Sequence, residues 1–286
     1  GHVYCGRVAK ALPLYFAWLL VPACGILAAI LPPSPMGLTL LLVPSFAVVV
    51  VYVYAAVDAW LLAHQINASY SPRDYNRASV YWLMIVAQLV ISISLIAGVR
   101  RFAYEAFLVP VNSMSPTILA GDRILARKLF SPDSFPQRGD LVVYRNPTQT
   151  GGRRFIGRVV AVAGDAIKIV DDQLLVNGKE LDRDPVPAES LSALGDQIKG
   201  RVSQEKNAGH RYLVRYDGIP NDAEVRQDFE ATVQERHVFI LGDNRDGSRD
   251  SRHFGAIHAG DIEGYVDYVY WPAVTWSRLG LANQLR

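Results

Sequence analysis

The chain has 286 residues with a formal net charge of +2, and half of its residues are hydrophobic. A charge this close to neutral, with no stripe of Lys and Arg interleaved with aromatic residues, gives no support to nucleic-acid binding. The apolar residues are concentrated in the first third of the chain. The sequence therefore predicts a membrane anchor over 1–101 and a soluble domain over 102–286.

Three apolar stretches in the anchor are long enough to cross a bilayer as helices, which takes about 20 residues. They run from about Ala11 to Leu31, from about Leu38 to Leu62 and from about Val80 to Val99. Because three soluble core helices in a row are not expected to be apolar on all sides, we predict three transmembrane helices. Their near-absence of charge argues against a small-molecule transporter.

Lys and Arg in the short loops set the predicted orientation, because such residues stay on the cytoplasmic side of a membrane. Arg7 and Lys10 precede the first apolar stretch, and Arg73 and Arg77 lie between the second and the third. This pattern places the N-terminus and the loop 71–77 in the cytoplasm. The C-terminal domain is then predicted to lie outside.

The domain that follows is predicted to be mainly β, because short runs rich in branched residues alternate with turn signals. The clearest of these runs are 123–126, 140–144 and 237–241. Asn177-Gly178, between two further strand-like runs, predicts a two-residue hairpin turn. The polar segment at about 185–228 is interpreted as an irregular insertion, with a weak helical pattern over 188–199.

Two segments of this domain contain groups that could do chemistry. The first, 107–117, follows the third apolar stretch at once and contains Ser113 and Ser115. The second, 242–252, follows a strand-like run and alternates Asp with Arg, which can form a cross-braced ion-pair network beside a site. From spacing alone, each segment could also be an ordinary solvent-exposed turn.

Together these segments resemble the sequence boxes of bacterial type I signal peptidases, which are serine proteases with a Ser–Lys dyad. The nucleophile box of that family, which directly follows a transmembrane helix, is matched by Pro110, Ser113, Met114, Pro116 and Thr117. Its Arg-Gly-Asp box is matched at 138–144, and its last box at 242–252 and Gly255. A fourth box, 155–165, matches in part, so the resemblance covers the whole soluble domain.

The resemblance implies a mainly-β domain of the signal-peptidase type that removes signal peptides from exported preproteins at the outer face of the cytoplasmic membrane. Ser113 would be the nucleophile. Supporting roles are implied for Ser248, Asp250, Arg252, Asp243, Asn244 and Arg158. Substrate contacts are implied for Phe107, Val109, Pro110 and Met114. The implied partners are preprotein signal peptides and the lipid bilayer, with no metal or cofactor, and the oligomeric state stays open.

Two departures from the family pattern bear on the mechanism. The family's general-base Lys stands in a box that here reads Phe155-Ile156-Gly157-Arg158, so the base position is Gly157. A serine hydroxyl is a weak nucleophile without an adjacent base, whose help is typically worth about 10²–10⁴-fold. In the oxyanion region, which also includes Asn112, Val111 replaces a Ser that donates in many members. The backbone N–H of Ser113 could still donate to the oxyanion.

Other groups could supply the base. Lys168 follows the next turn and is expected to point elsewhere, whereas His253 is the nearest candidate on motif grounds. The competing hypothesis is a catalytically impaired homologue that binds signal peptides or membrane-protein segments without cleaving them. If the chain is such an inactive scaffold, Gly157→Lys alone is expected to switch on cleavage that depends on Ser113.

Overall fold

The computed structural model describes residues 35–64, 77–128, 135–146, 153–170, 173–187, 200–216 and 229–282, with a few single positions outside these ranges. The chain divides into two compact units, Gly1–Ala103 and Tyr104–Arg286, so the boundary falls just after the predicted position 101. In the described residues, the first unit is helical and the second contains all the strands.

Two long helices are described in the first unit, α1 (Pro35–His64) and α2 (Ala78–Phe102). Within α1, the stretch Leu42–Leu62 is long and apolar enough to cross a membrane, whereas the apolar part of α2, Ala78–Ser94, is shorter. Many large apolar side chains of both helices are exposed, as expected for helices that face lipid. The first predicted span, 11–31, lies largely outside the described residues. Among the described residues, one helix is therefore a candidate membrane span.

The second unit is built around an eight-stranded antiparallel sheet. Its strands are β1 (Tyr104–Leu108), β2 (Arg123–Lys128), β3 (Leu141–Arg145), β4 (Arg154–Val162), β12 (His237–Leu241), β13 (Ile257–His258), β14 (Ile262–Trp271) and β15 (Gly280–Leu281). The order is β1-β2-β14-β3-β4-β12-β13, and β15 pairs with β14. The predicted strand runs coincide with β2, β3 and β12. Residues 141–144 are buried on both faces of the sheet, which explains why they read as a continuous apolar run.

Two smaller antiparallel sheets complete this unit. One consists of β5 (Ala166–Val170), β6 (Gln173–Val176), β7 (Lys179–Glu180) and β11 (Phe229–Thr232), in the order β11-β5-β6-β7. The other consists of β8 (Arg183–Pro185), β9 (Arg201–Asn207) and β10 (His210–Tyr216), in the order β10-β9-β8. A four-residue helix, α3 (Ser251–Phe254), and two 3-10 turns, Ala259–Asp261 and Trp276–Arg278, lie between the last strands.

The hairpin predicted at Asn177-Gly178 is confirmed, since β6 pairs with β7 and both turn residues have positive φ. The prediction of an irregular insertion at about 185–228 is wrong for its described central part. There β9 and β10 pair along their whole length, and the turn Ala208-Gly209 has positive φ at both positions. Polarity concealed this hairpin, because its inward positions include the charged residue Glu205, which is fully buried.

Both faces of the large sheet are covered by apolar side chains. On one face, Met114 and Ile118 from the loop after β1 pack with residues of β2, β3 and β14. On the other face, Tyr144 and Ile240 pack with residues of β4, β13 and β14. The loop after β1, which contains Ser113, therefore contributes its own side chains to the core.

Candidate active site

Ser113 lies in the loop that joins β1 to β2. Backbone hydrogen bonds close the base of this loop, from Val109 N–H to the Asp122 carbonyl at 3.0 Å and from Gly121 N–H to the Val109 carbonyl at 2.7 Å. Met114, directly after Ser113, is fully buried. Ser113 itself is partly exposed. The core thus holds the loop from below and leaves Ser113 at the surface.

Polar side chains brace the same loop from within. Asn112 Oδ1 accepts a hydrogen bond from Ala120 N–H at 2.8 Å. Asp122 Oδ2 accepts one from Leu119 N–H at 2.8 Å, and Asp122 is fully buried. The Asn112 side chain, which the sequence placed in the oxyanion region, therefore holds the loop in shape.

Arg278 reaches the loop from the 3-10 turn between β14 and β15 and is fully buried. Its terminal nitrogens donate to the carbonyls of Pro116 and Thr117, at 3.1 and 3.0 Å, and to the Asp122 carboxylate at 2.8 Å. Burial lowers the pKa of Arg278, while the Asp122 carboxylate opposes that shift. Sequence reasoning missed Arg278, because it lies 156 positions beyond Asp122 and in no recognised motif.

The segment 242–252 lies directly against Ser113. Asn244 N–H donates to the Ser113 carbonyl at 3.1 Å, and Asn244 Nδ2 donates to the Asn112 carbonyl at 3.2 Å. A Cβ atom at Gly242 would lie 2.7 Å from the Ser113 carbonyl oxygen and under 3.0 Å from the Ser248 side chain. Only glycine permits this approach, so the fold brings Ser113, Asn244 and Ser248 together as the sequence boxes suggested.

A buried ion pair joins this segment to β4. Arg158 Nε and Nη2 donate to the two carboxylate oxygens of Asp243, each at 2.7 Å, and both side chains are almost completely buried. Thr117 Oγ1, from the Ser113 loop, donates to Asp243 Oδ2 at 2.5 Å. Arg158 also donates to the Gly139 carbonyl at 2.8 Å. One carboxylate thus connects β4, the Ser113 loop and the segment 242–252.

Asp250 ties the end of the segment 242–252 back to its start. Its carboxylate accepts from Gly242 N–H at 2.9 Å and from Nε and Nη2 of Arg252, each at 2.8 Å. Arg252 Nη2 also donates to the Arg245 carbonyl at 2.6 Å. The alternating Asp and Arg residues therefore form a cross-braced network, in which charge-assisted hydrogen bonds fix the loop.

β10 lies alongside the same segment. Arg215 N–H donates to the Asp243 carbonyl at 2.7 Å, and Arg245 N–H donates to the Arg215 carbonyl at 2.9 Å. The Arg215 guanidinium reaches across to Ser115 Oγ at 2.9 Å. The hairpin β9–β10 thus supports both loops of the site, a role that the predicted irregular insertion did not suggest.

Glu205 in β9 is the buried counter-charge of Arg245. Its carboxylate accepts from Arg245 Nη1 at 3.0 Å and from Arg245 Nη2 at 2.7 Å. Burial alone would raise the pKa of Glu205, but Arg245, together with Arg183 and Tyr212, outweighs burial and lowers the pKa below its ordinary value of 4.5. The carboxylate is therefore charged in the folded protein at neutral pH.

Gly157, the position of the family's base, lies buried in β4. A Cβ atom there would come under 3.0 Å from Ile240 Cγ2 and to 3.4 Å from both the Leu241 carbonyl oxygen and Tyr144 Cε1. Leu241 is followed at once by Gly242, which contacts Ser113. Side chains of Ile240 and Tyr144 thus fill the space beside residue 157.

Three other side chains could in principle accept a proton in place of the missing lysine: Tyr144, His253 and Lys168. Burial raises the pKa of the Tyr144 hydroxyl well above its usual range, and the Asp250 charge adds to the shift, so this phenol keeps its proton. His253 Nδ1 accepts a hydrogen bond from Asp250 N–H at 3.3 Å as part of the N-terminal cap of α3. Lys168 pairs with Glu230 at 3.1 Å on the small sheet, where both side chains are largely exposed.

The four predicted substrate residues occupy different environments. Val109 and Met114 are buried in the core, so their side chains do not lie at the surface in this structure. Phe107 is partly buried and Pro110 is exposed. Val111, at the oxyanion region, is 56% exposed and has no side-chain donor. Among the described residues, no group of three or more His, Cys, Asp or Glu could hold a metal ion.

A serine on a braced loop, held by a network of Asp and Arg side chains, is an arrangement that fits the class of serine peptidases. The chain matches the family described as signal peptidase, peptidase S26, over residues 82–271. Since that match covers more than half of the chain, the chain belongs to this family and is a serine endopeptidase of the signal peptidase I type. The resemblance carried by the four sequence boxes is therefore confirmed.

Several proteins similar to this chain are named signal peptidase I. Signal peptidase I of Bacillus caldolyticus is 30% identical over 183 residues, which cover 64% of this chain and 87% of that protein. Signal peptidase I of Aquifex aeolicus is 29% identical over 213 residues, covering 65% and 83%. The crystal structure of a signal peptidase I from Enterococcus faecalis V583 shares 28% identity and covers 46% of this chain and 95% of that chain. The TM-score between the two structures is 0.27.

Proposed function

We propose that this chain removes signal peptides from exported preproteins, with Ser113 attacking the carbonyl carbon of the scissile bond. The observation that carries the proposal is the junction of Ser113 with the segment 242–252, where Asn244 N–H holds the Ser113 carbonyl at 3.1 Å. Such bracing keeps a nucleophile in one geometry, which is what an attack on a bound substrate requires. The relatives named signal peptidase I support the substrate class.

The substrate binds in extended form along β1 in this proposal. β1 lies at one end of the sheet order, and the described residues contribute no strand on its outer side. An extended peptide can add to such an edge through main-chain hydrogen bonds, with side-chain selection left to shallow pockets. Phe107 and Pro110 are the two predicted substrate residues that are accessible for this contact.

Catalysis in this proposal relies on fewer groups than in a Ser–Lys enzyme. The Ser113 backbone N–H is the oxyanion donor, and the donor lost at Val111 costs about 10²–10³-fold in rate. Because glycine at 157 cannot accept a proton and Ser113 is partly exposed, the hydroxyl proton of Ser113 leaves to solvent water in this proposal. Without an adjacent base the rate falls by about 10²–10⁴-fold, so a slow enzyme is expected.

The location proposed for this reaction is the outer face of the cytoplasmic membrane. The anchor is proposed to cross the membrane three times, through the apolar stretches 11–31, 38–62 and 80–99. Arg73 and Arg77 in the loop between the second and third stretches support a cytoplasmic loop and an extracytoplasmic catalytic domain. An anchor that ends just before β1 keeps Ser113 near the bilayer, where the cleavage site of a signal peptide emerges.

Incubation of the full-length chain in detergent micelles with a purified preprotein tests the proposal. We expect slow cleavage at one site after small residues, abolished by Ser113→Ala. The matched control is Ser277→Ala, which removes a hydroxyl from an exposed turn and is expected to leave the rate unchanged. Cleavage that persists in Ser113→Ala would refute the role of Ser113. Stable binding of the signal peptide without any cleavage would favour the alternative of a homologue that binds but does not cut.

A further inference from the structure

Neighbouring residues fill the space beside residue 157, the position of the family's general base. Ile240 Cγ2 lies under 3.0 Å from the place that a Cβ atom at residue 157 would take. Carbon atoms that are not bonded to each other normally stay about 3.5–4.0 Å apart. Tyr144 and the Leu241 carbonyl close two further sides at 3.4 Å. Any side chain at residue 157 would therefore collide with Ile240 at its first carbon.

Glycine is necessary at residue 157 because a side chain has no room there, and not because of the backbone conformation. Several other glycines of the domain have positive φ, but Gly157 does not and lies in regular pairing with Val142. Every amino acid can adopt such a strand conformation. A change at the colliding neighbour should therefore be sufficient to admit a side chain at residue 157.

Ile240 cannot move aside by itself. It is fully buried in the core cluster that includes Val142, Val159 and Val238. Its colliding methyl group is attached directly to Cβ, and branched residues are stiff about this bond. A rotation would sweep one of the two branches through a close-packed interior. The collision must be removed by substitution.

We infer that Gly157 and Ile240 form a matched pair that closes the base position against any side chain, lysine included. A lysine at 157 becomes a working base for Ser113 only when residue 240 has no γ-methyl group. The inference rests on the proposed function for its cleavage measurement alone. It also revises the expectation that Gly157→Lys by itself restores activity.

Thermal unfolding of the full-length chain in micelles tests the pairing with the smallest possible probe. Gly157→Ala adds one carbon and is expected to lower Tm by about 4–10 °C, the usual result of overpacking a core. With Ile240→Ala present, the same added carbon should lower Tm by less than about 2 °C. Ile240→Val is the matched control, because valine removes only the δ-carbon and keeps both γ-carbons, and it should give no relief. Gly98→Ala, at a glycine with nothing within 4 Å, controls for the exchange itself.

Preprotein cleavage tests the consequence for catalysis. Gly157→Lys combined with Ile240→Ala should cleave at least about 100-fold faster than Ile240→Ala alone, and a further Ser113→Ala exchange should abolish the gain. Gly157→Lys combined with Ile240→Val should show no such gain. The faster rate should also fall on acidification, because a lysine among apolar side chains must be neutral to accept a proton.

Failure of the Gly157–Ile240 pairing and failure of the proposed protease function would give different results. If Gly157→Ala unfolds like the parent protein, or if Ile240→Val relieves it as well as Ile240→Ala, the pairing is refuted whether or not the parent chain cleaves. If Gly157→Lys alone cleaves as fast as its combination with Ile240→Ala, the pairing is also refuted. If the unfolding results hold and no variant cleaves, the closure of residue 157 stands and the proposed protease function fails.

Discussion

The surroundings of Ser113 and of Gly157, the two sides of the candidate active site, are stabilised by different kinds of interaction. Around Ser113, the loops are fixed by buried charges with defined partners, such as Asp243 with Arg158 and Asp250 with Arg252. Around Gly157, the nearest atoms belong to Ile240, Leu241 and Tyr144. The Ser113 side keeps the family's motif, while residue 157 is part of the core.

The buried ion pairs around Ser113 are complete although residue 157 is glycine. A buried ion pair is specific to its partners, because removing one charge leaves the other uncompensated. Apolar filling depends on volume, and at residue 157 it involves both the glycine and the γ-methyl group of Ile240. Exchanges of buried charges should therefore cost more stability than exchanges of exposed charges or of a helix cap.

The largest effect is expected for Asp243→Asn, which breaks the nucleophile side. It removes the carboxylate charge that pairs with the buried Arg158 guanidinium, and we expect a loss of about 3–5 kcal/mol in the free energy of unfolding. Chemical denaturation of the full chain in micelles measures this loss. The control is Glu230→Gln, which removes an exposed partner of Lys168 and should change stability by less than about 0.5 kcal/mol. Equal effects of the two exchanges would contradict the comparison.

An intermediate and pH-dependent effect is expected for Glu205→Gln. Because the pKa of Glu205 is lower in the folded protein than its ordinary 4.5, its contribution to stability is present above that value and is lost as the pH falls through the folded pKa. At neutral pH the exchange should cost about 1.5–3 kcal/mol, the range for hydrogen bonds to charged groups. Denaturation curves across the acidic range should show a steeper loss in the parent than in Glu205→Gln. Parallel curves would refute the role of Glu205.

The smallest effect is expected for His253→Leu, which removes a helix cap. Loss of the Nδ1 acceptor should cost about 0.5–1 kcal/mol of stability, and His253→Gln, which can still accept the Asp250 N–H, should restore most of it. Preprotein cleavage should stay within about threefold of the parent. A drop of about 100-fold in both variants would instead make His253 the missing base.

Much of the nucleophile side was predictable from the sequence, because its parts are local. The segment 242–252 is contiguous, and its alternating charges pair mostly with one another or with Arg158, which stands in its own recognisable box. The β strands with apolar runs, such as β3 and β12, were found for the same reason. Strand boundaries and the Asn177-Gly178 turn follow from local backbone preference.

The remaining features depend on side chains that meet only after folding. Ile240 reads from the sequence as an ordinary strand residue, and its contact with Gly157 depends on the pairing of β12 with β4. Glu205 lies among the polar residues of β9, where a buried carboxylate paired with Arg245 interrupts the apolar pattern, so alternation did not indicate the hairpin β9–β10. The anchor shows the reverse case, since composition predicts three spans and the described residues provide one candidate.

The link from Arg278 to the Ser113 loop has a consequence for the order in which the enzyme is made. During synthesis, the loop that contains Ser113 emerges long before Arg278, which lies 162 positions after Pro116. Until then the Pro116 and Thr117 carbonyls and the Asp122 carboxylate lack their buried donor. A nascent chain therefore contains Ser113 before its surroundings are complete, and maturation of the site waits until Arg278 has been translated.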